Sequence, residues 1–166
     1  NQFNHSDRRE LRGAGMLAAW LCWFDARWDN TRLKLVKVDG RQELRHVISD
    51  LGSVLGKASS GLGNKHGGDV NGFTWTCTAS GEKNGQRSVA IVNFQTLEDN
   101  NAFYKMTVDD ARWMTRKIAT LTENDIFAAL MAGGFTGPEV VLYREKLVSR
   151  RDNMIKDLGL ENEIPL

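Results

Sequence analysis

Three oxygen-bearing side chains in the first third of the sequence stand where they could do metal and phosphate chemistry: Asp25, Asn30 and Asp50. Asp25 and Asn30 bound the short segment Asp-Ala-Arg-Trp-Asp-Asn, and Asp50 is followed by Leu51 and Gly52. Carboxylate and amide oxygens are hard ligands, of the kind that hold Mg2+ or Mn2+ against phosphate oxygens. A carboxylate facing such a cluster can accept the proton of an incoming hydroxyl, and Asp25 is the candidate for that role. Gly52 would let the backbone turn tightly beside the ion. Each residue alone also has a plain structural explanation, since Asp and Asn are common at helix ends and turns. Asp29 reads as a turn or salt-bridge residue. Used together with Asp25 and Asp50 it would make a two-metal hydrolase, which needs its ions about 3.5–4 Å apart.

One element could gather the three. Leu33 and Leu35 alternate with Arg32 and Lys34, and then Val36 and Val38 flank Lys37, so the apolar phase changes. A strand apolar on both faces near its tip, or a bulge, would account for that. Asp39–Gly40 is a hairpin turn pair, and a return strand is expected over about Leu44 to Ser49. With the turn there, residues 32 and 47 come roughly opposite each other. The open end of the hairpin then holds Asn30 and Asp50 close together.

The rest of the chain must carry that hairpin. A helix is expected from Ser6 or Asp7 to Trp23 or Phe24, with Leu11, Met16, Leu17, Trp20, Leu21 and Phe24 on its apolar face. Residues 52–72 are glycine- and serine-rich and read as a long loop. Phe73, Trp75 and Cys77 alternate as a short strand, Asn84–Gly85 marks a turn, and Val89, Ile91 and Phe94 suggest a further β-segment. Three helices follow. Thr107 with Asp110 begins the first, Thr122 caps the second, which stops at Gly133–Gly134, and Thr136, Pro138 and Glu139 open the third, closed by Gly159. This order predicts a single α+β domain, mostly helical, and not an open parallel sheet.

Composition narrows the function classes. The chain has 166 residues, enough for one core, and 41% apolar with 26% charged residues, the balance of a globular protein. A net charge of +1 gives no bulk attraction to nucleic acid or anionic lipid. Cys22 and Cys77 read as small buried hydrophobes, and three scattered histidines argue against a structural zinc site. No run approaches the roughly 20 apolar residues of a membrane span, and no signal peptide opens the sequence, so a cytoplasmic protein is expected. The first residue is Asn1 rather than Met, which reads as a processed or fragment end.

The spacing Asp25–Asn30, the hairpin after it and the Asp50–Leu51–Gly52 string together resemble the C-terminal lobe of a protein-kinase-like fold. The wider string His46-Val-Ile-Ser-Asp-Leu-Gly-Ser-Val-Leu-Gly56 is similar to atypical kinases of the HipA, CotH and phosphoinositide-kinase groups. Segments 8–13, 18–21, 106–113 and 148–152 are similar to a group of uncharacterised bacterial proteins. The resemblance implies an ATP- and Mg2+-dependent phosphotransferase. Asp25 would be the catalytic carboxylate, Asn30 and Asp50 would bind the metal, Gly52 would lie beside the nucleotide, and His46 would support the loop. Two positions depart from the usual pattern: Trp23–Phe24 precedes the Asp where His-Arg is common, and Leu51 replaces Phe. No glycine-rich strand pair with a phosphate-binding lysine precedes the hairpin. The resemblance therefore implies one lobe of an enzyme whose upstream lobe lies on the same precursor or in another chain, or else a catalytically inactive module that binds a protein partner. The phosphoryl acceptor is not readable from these residues.

Overall fold

The computed structural model describes residues 6–56, 70, 72–73, 78–83, 86–91, 94, 96 and 100–164. Helix α1 runs Arg9–Leu21 and a 3-10 turn spans Trp28–Asn30. Strands β1, Thr31–Val38, and β2, Arg41–Ile48, form one antiparallel hairpin, and β3, Thr78–Lys83, and β4, Gln86–Ile91, form a second. Helices α2, Asn101–Tyr104, α3, Val108–Ala119, α4, Glu123–Ala132, and α5, Gly137–Asp157, complete an α+β chain.

The first hairpin has the expected turn and register. Asp39 and Gly40 sit at φ of +49° and +80°, the pair of left-handed residues that lets two strands reverse without splaying. Arg32 pairs with Val47, and the ladder is unbroken from Thr31–Ile48 to Val38–Arg41. The phase change is therefore not a bulge: apolar residues occupy both faces of the ribbon. β2 starts at Arg41 rather than Leu44, because the two-residue turn leaves no slack before pairing begins.

Other boundaries differ for local reasons. α1 begins at Arg9, after an Arg8 that has no capping side chain to offer. It ends at Leu21 because Cys22 adopts a left-handed conformation, φ +51°. Asp110 accepts from the Thr107 main chain at 2.9 Å while Thr107 Oγ1 accepts from the Asp110 N–H at 3.2 Å, so the capping box at α3 is complete. Thr122 and Asp125 form the same box at α4. Thr136 makes no capping bond at α5; Gly137, at φ +60°, turns the chain there instead. The short α2 was not anticipated, and Asn100 caps it. Phe73 lies in a bend rather than a strand and is buried. The expected strand residues Trp75 and Cys77, the turn Asn84–Gly85 and most of the 52–72 loop fall outside the described residues.

One core joins α1, α3, α4 and α5: Met16, Ala19 and Trp20 meet Ala111, Ile118, Leu130, Tyr143, Leu147 and Met154. Two polar locks set how α1 lies in it. Arg12 grips Asp110 of α3 through Nε at 2.7 Å and Nη2 at 3.0 Å. Arg150 of α5, fully buried, donates to the carbonyls of Trp20, at 2.9 Å, and Ala19, and lies over the Phe73 ring. Its cation thus sits at the carbonyl end of α1, where the helix dipole favours positive charge.

Candidate functional site

The candidate site begins where α1 stops. The Trp23 N–H reaches back to the Ala18 carbonyl at 2.7 Å and the Cys22 N–H to Ala19 at 3.1 Å, the paired bonds that end a helix on a left-handed residue. This reversal buries Trp23 against Ala18 and Ala26, where Ile48 of β2 also packs. The root of the hairpin is thereby fixed to the end of α1. Asn100 Nδ2 adds a tie from α2 by donating to the Ala26 carbonyl at 2.9 Å.

Asp25 and Asn30 are in direct contact. The Asn30 amide nitrogen donates to the Asp25 carbonyl at 2.8 Å and to Asp25 Oδ2 at 3.2 Å. Asn30 is buried, so a side chain held this way is committed to one orientation. The amide nitrogen is engaged by Asp25, which leaves Oδ1 as the atom with ligand capacity. Arg27 Nε lies 2.7 Å from Asp25 Oδ1 and 3.5 Å from Asp29 Oδ1. Arg27 therefore bridges the two acids of the loop, and Asp29 serves as the salt-bridge residue its place in the turn suggested.

Asp50 reaches the same mouth by continuation of the ladder. The Ser49 N–H and hydroxyl both donate to the Asn30 carbonyl, at 2.8 and 3.0 Å. Asp50 is the next residue, with φ +57°, and its carbonyl accepts from Trp23 Nε1 at 3.2 Å. Its main chain is thus anchored while the residue is exposed. The left-handed residue here is Asp50 itself; a Cβ on Gly52 would lie 3.5 Å from Asp50 Oδ1, an ordinary contact. Gly52 is exposed and lies in a turn with Ser53, at a φ that does not itself require glycine.

The sequence reading missed Arg27, Trp23 and Ser49, the three side chains that orient the mouth. A cation two residues after Asp25 was a visible signal for the first. The other two depend on the helix reversal and the exact register.

Among the described residues, which include Asp25, Asp29 and Asp50, no three acids, histidines or cysteines are grouped to hold a metal ion. A concavity of about 350 Å3 lies elsewhere, between α4 and α5, lined by Glu123, Arg144, Glu145, Ser149, Asp152 and Lys156 among others. No residue of the hairpin mouth borders it. No helix among the described residues is long and apolar enough to cross a membrane. Compared with known protein families, curated proteins and solved structures, the chain matches none.

Proposed function

We propose that this chain is a kinase-like C-terminal lobe that supplies the metal-holding and hydroxyl-orienting side of an ATP- and Mg2+-dependent phosphotransfer site. The observation that carries this reading is the pairing of Asn30 with Asp25 at one hairpin mouth, with Asp50 the residue after the last pair of the extended ladder.

The donor set suits one kind of metal site. Mg2+ dehydrates reluctantly and is commonly bound through one or two protein oxygens, waters and substrate phosphates. Asn30 Oδ1 and the Asp50 carboxylate would hold it, and the phosphates would complete it. Such a site forms with its nucleotide rather than as a pre-built cage, in keeping with the absence of a three-ligand group among the described residues. A metal held by these residues would supply charge neutralisation for the phosphates. Asp25 has its carboxylate aimed by Arg27 and Asn30, and its role is to orient the acceptor hydroxyl and receive its proton. The upstream lobe that closes over the nucleotide comes from elsewhere on the precursor or from another chain.

The test is nucleotide binding to the intact protein by calorimetry, with and without Mg2+. Asp50→Asn should abolish the metal-dependent part of ATP binding. Asp25→Ala should leave binding in place and remove turnover. Undiminished metal-dependent binding in Asp50→Asn would overturn the assignment. A second reading, an inactive kinase-like module that binds a protein partner, draws on the exposed Leu35–Leu44 pair of the ribbon. ATP turnover above a metal-free control would exclude it.

A further inference from the structure

The β1–β2 ribbon is divided by face. Residues that pair across the strands share a face and neighbours along a strand alternate. The register therefore sets Arg32, Lys34, Val36 and Val38 beside Val47, Arg45, Glu43 and Arg41 on one side. The other side carries Leu33, Leu35, Leu44, His46 and Ile48, with Lys37 and Gln42 near the turn. All four cations of the first side are exposed, with the valines half-buried among them. On the second side Leu35 and Leu44, direct partners, are 62% and 61% exposed, while Ile48 at the root is packed on the Trp23 cluster.

Stability alone does not account for this pattern. Lys34 stands directly opposite Arg45, and like charges across a strand pair are destabilising. Glu43 engages Arg45 at 3.0 Å, but Arg32 donates to the Asp29 carbonyl and has no carboxylate partner among the described residues. Neither Lys34 nor Arg41 has an ion-pair partner among the described residues. Segment 31–48 holds five Arg and Lys against Asp39 and Glu43, so it is strongly cationic within a chain of net charge +1. At about 3.3 Å per residue the cations form a row roughly 20 Å long. A row with no concavity suits an extended polyanion rather than a single anion.

Three occupants can be compared. A second copy of the ribbon would set cation against cation. A nucleic-acid backbone would use the basic face and leave the leucine pair and the strand edges unsatisfied; the ribbon also has no Phe, Tyr or Trp on its basic face or elsewhere for a base to stack on. An added β-strand meets every feature, because its side chains alternate between the two faces. Among the described residues each of β1 and β2 has only the other as a partner, and each has one edge with no strand paired to it. We propose that the ribbon binds an extended polypeptide segment of alternating acidic and apolar residues by strand addition, with its carboxylates along Arg32, Lys34, Arg41 and Arg45 and its apolar side chains extending the Leu33–Leu35–Leu44 face.

A fluorescein-labelled synthetic peptide of alternating Glu and Val tests this by anisotropy on the intact protein. It should bind, more weakly as salt rises. A peptide of the same composition with Glu and Val in separate blocks should bind at least about tenfold more weakly, a loss that the two-face geometry requires. Lys34→Glu with Arg41→Glu should cost a similar factor for the Glu–Val peptide and gain binding to a Lys–Val peptide, a swap that a misfolded variant would not give. Leu35→Ser with Leu44→Ser should weaken the Glu–Val peptide without altering its salt dependence. Equal binding of the alternating and blocked peptides would overturn the proposal. So would tighter binding of duplex DNA that is indifferent to the leucine changes, or no binding of the Glu–Val peptide; in the last case the cations only guard the edges against self-association. None of these outcomes depends on nucleotide or metal.

Discussion

Replacing Asp110 with Asn asks how firmly α1, which ends at the candidate site, is fastened to α3. Asp110 is 3% exposed and its carboxylate takes four donors: Arg12 Nε at 2.7 Å, Arg12 Nη2 at 3.0 Å, and the Thr107 N–H and hydroxyl, both at 2.9 Å. Hydrogen bonds to a charged group are each worth about 1.5–3 kcal/mol net. Asn keeps one acceptor oxygen for Thr107 but has no second oxygen for the Arg12 fork and no charge. Arg12 keeps partial access to solvent, which lowers its loss. The expected cost is about 2–3 kcal/mol, or a drop of roughly 5–10 °C in thermal midpoint for a chain of this size. The pH dependence gives an independent check. Burial raises the Asp110 pKa, but the Arg12 bonds and those from Thr107 outweigh it and hold the group below its ordinary 3.8. A lowered folded pKa stabilises above the unfolded value, and that contribution is lost as pH falls through the folded one. Urea unfolding followed by circular dichroism should show a constant gap between wild type and Asp110→Asn from about pH 7 to pH 5, closing below about pH 4. Asp7, Asp125 and Glu163 are also held low, so the variant should retain part of the acid limb. A gap under about 0.5 kcal/mol at neutral pH, within the range of ordinary surface substitutions, or one that persists unchanged in acid, would refute the lock.

Three further outcomes follow from the same packing. Arg150→Met keeps the buried stem but strips two donors from the Ala19 and Trp20 carbonyls; calorimetry should show a loss of about 3 kcal/mol, and an unchanged midpoint would contradict the capping role. Gly13→Val should destabilise by about 1–3 kcal/mol, because even a Cβ there meets the Trp113 ring at 3.1 Å and the Asp110 carbonyl at 3.2 Å; urea titration reads it directly. Burial raises the Cys22 thiol above its ordinary 9.0, against smaller opposing effects of Arg150 and the Gly56 main chain. In a Cys77→Ser background, iodoacetamide alkylation of the native protein should therefore have its midpoint above pH 9.0, and a midpoint below it would show a thiolate-stabilising environment instead.

The parts of the fold that were legible are those set by local chemistry. Asp39–Gly40 announced a two-residue turn, and the turn alone fixed the Arg32–Val47 register. Thr107–Asp110 announced a helix start in the same way. The helix ends were less visible. Cys22 adopts φ +51°, a conformation usually left to glycine, and nothing in its residue type signals that; the carbonyls held by Arg150 from about 130 positions away do. Asp50 at φ +57° is a similar case, since the glycine two residues on attracted the expectation of a tight turn. α2 is only four residues long, too short for any apolar period to show. Trp113 lies half-buried against Gly13, with Arg9 and Lys117 over its ring, contacts that no local pattern announces. Pairwise turn and cap chemistry is written in adjacent residues, whereas the contacts that end α1 and aim the mouth are long-range.

Those long-range contacts also explain how the mouth is held at the base of a ribbon whose outer half is exposed. An isolated two-stranded hairpin is marginal in water. This one is held at its root from three directions: Trp23 Nε1 on the Asp50 carbonyl, Asn100 on the Ala26 carbonyl, and Ile48 packed on Trp23 and Ala26. Each anchor in turn depends on α1 stopping at Leu21, and α1 is fixed by Arg12 near its start and Arg150 at its end. Burial therefore declines along the ribbon, from half-buried Ile48 at the root to exposed Leu44 and Leu35 farther out. Fixed side chains at the root and an exposed outer strand pair are what the two proposed tasks would demand: the root would keep Asp25, Asn30 and Asp50 in register, while the outer ribbon would receive the added strand. A substitution that frays the outer ribbon should then leave the Asn30–Asp25 bonds intact, whereas one that releases α1 should disturb both.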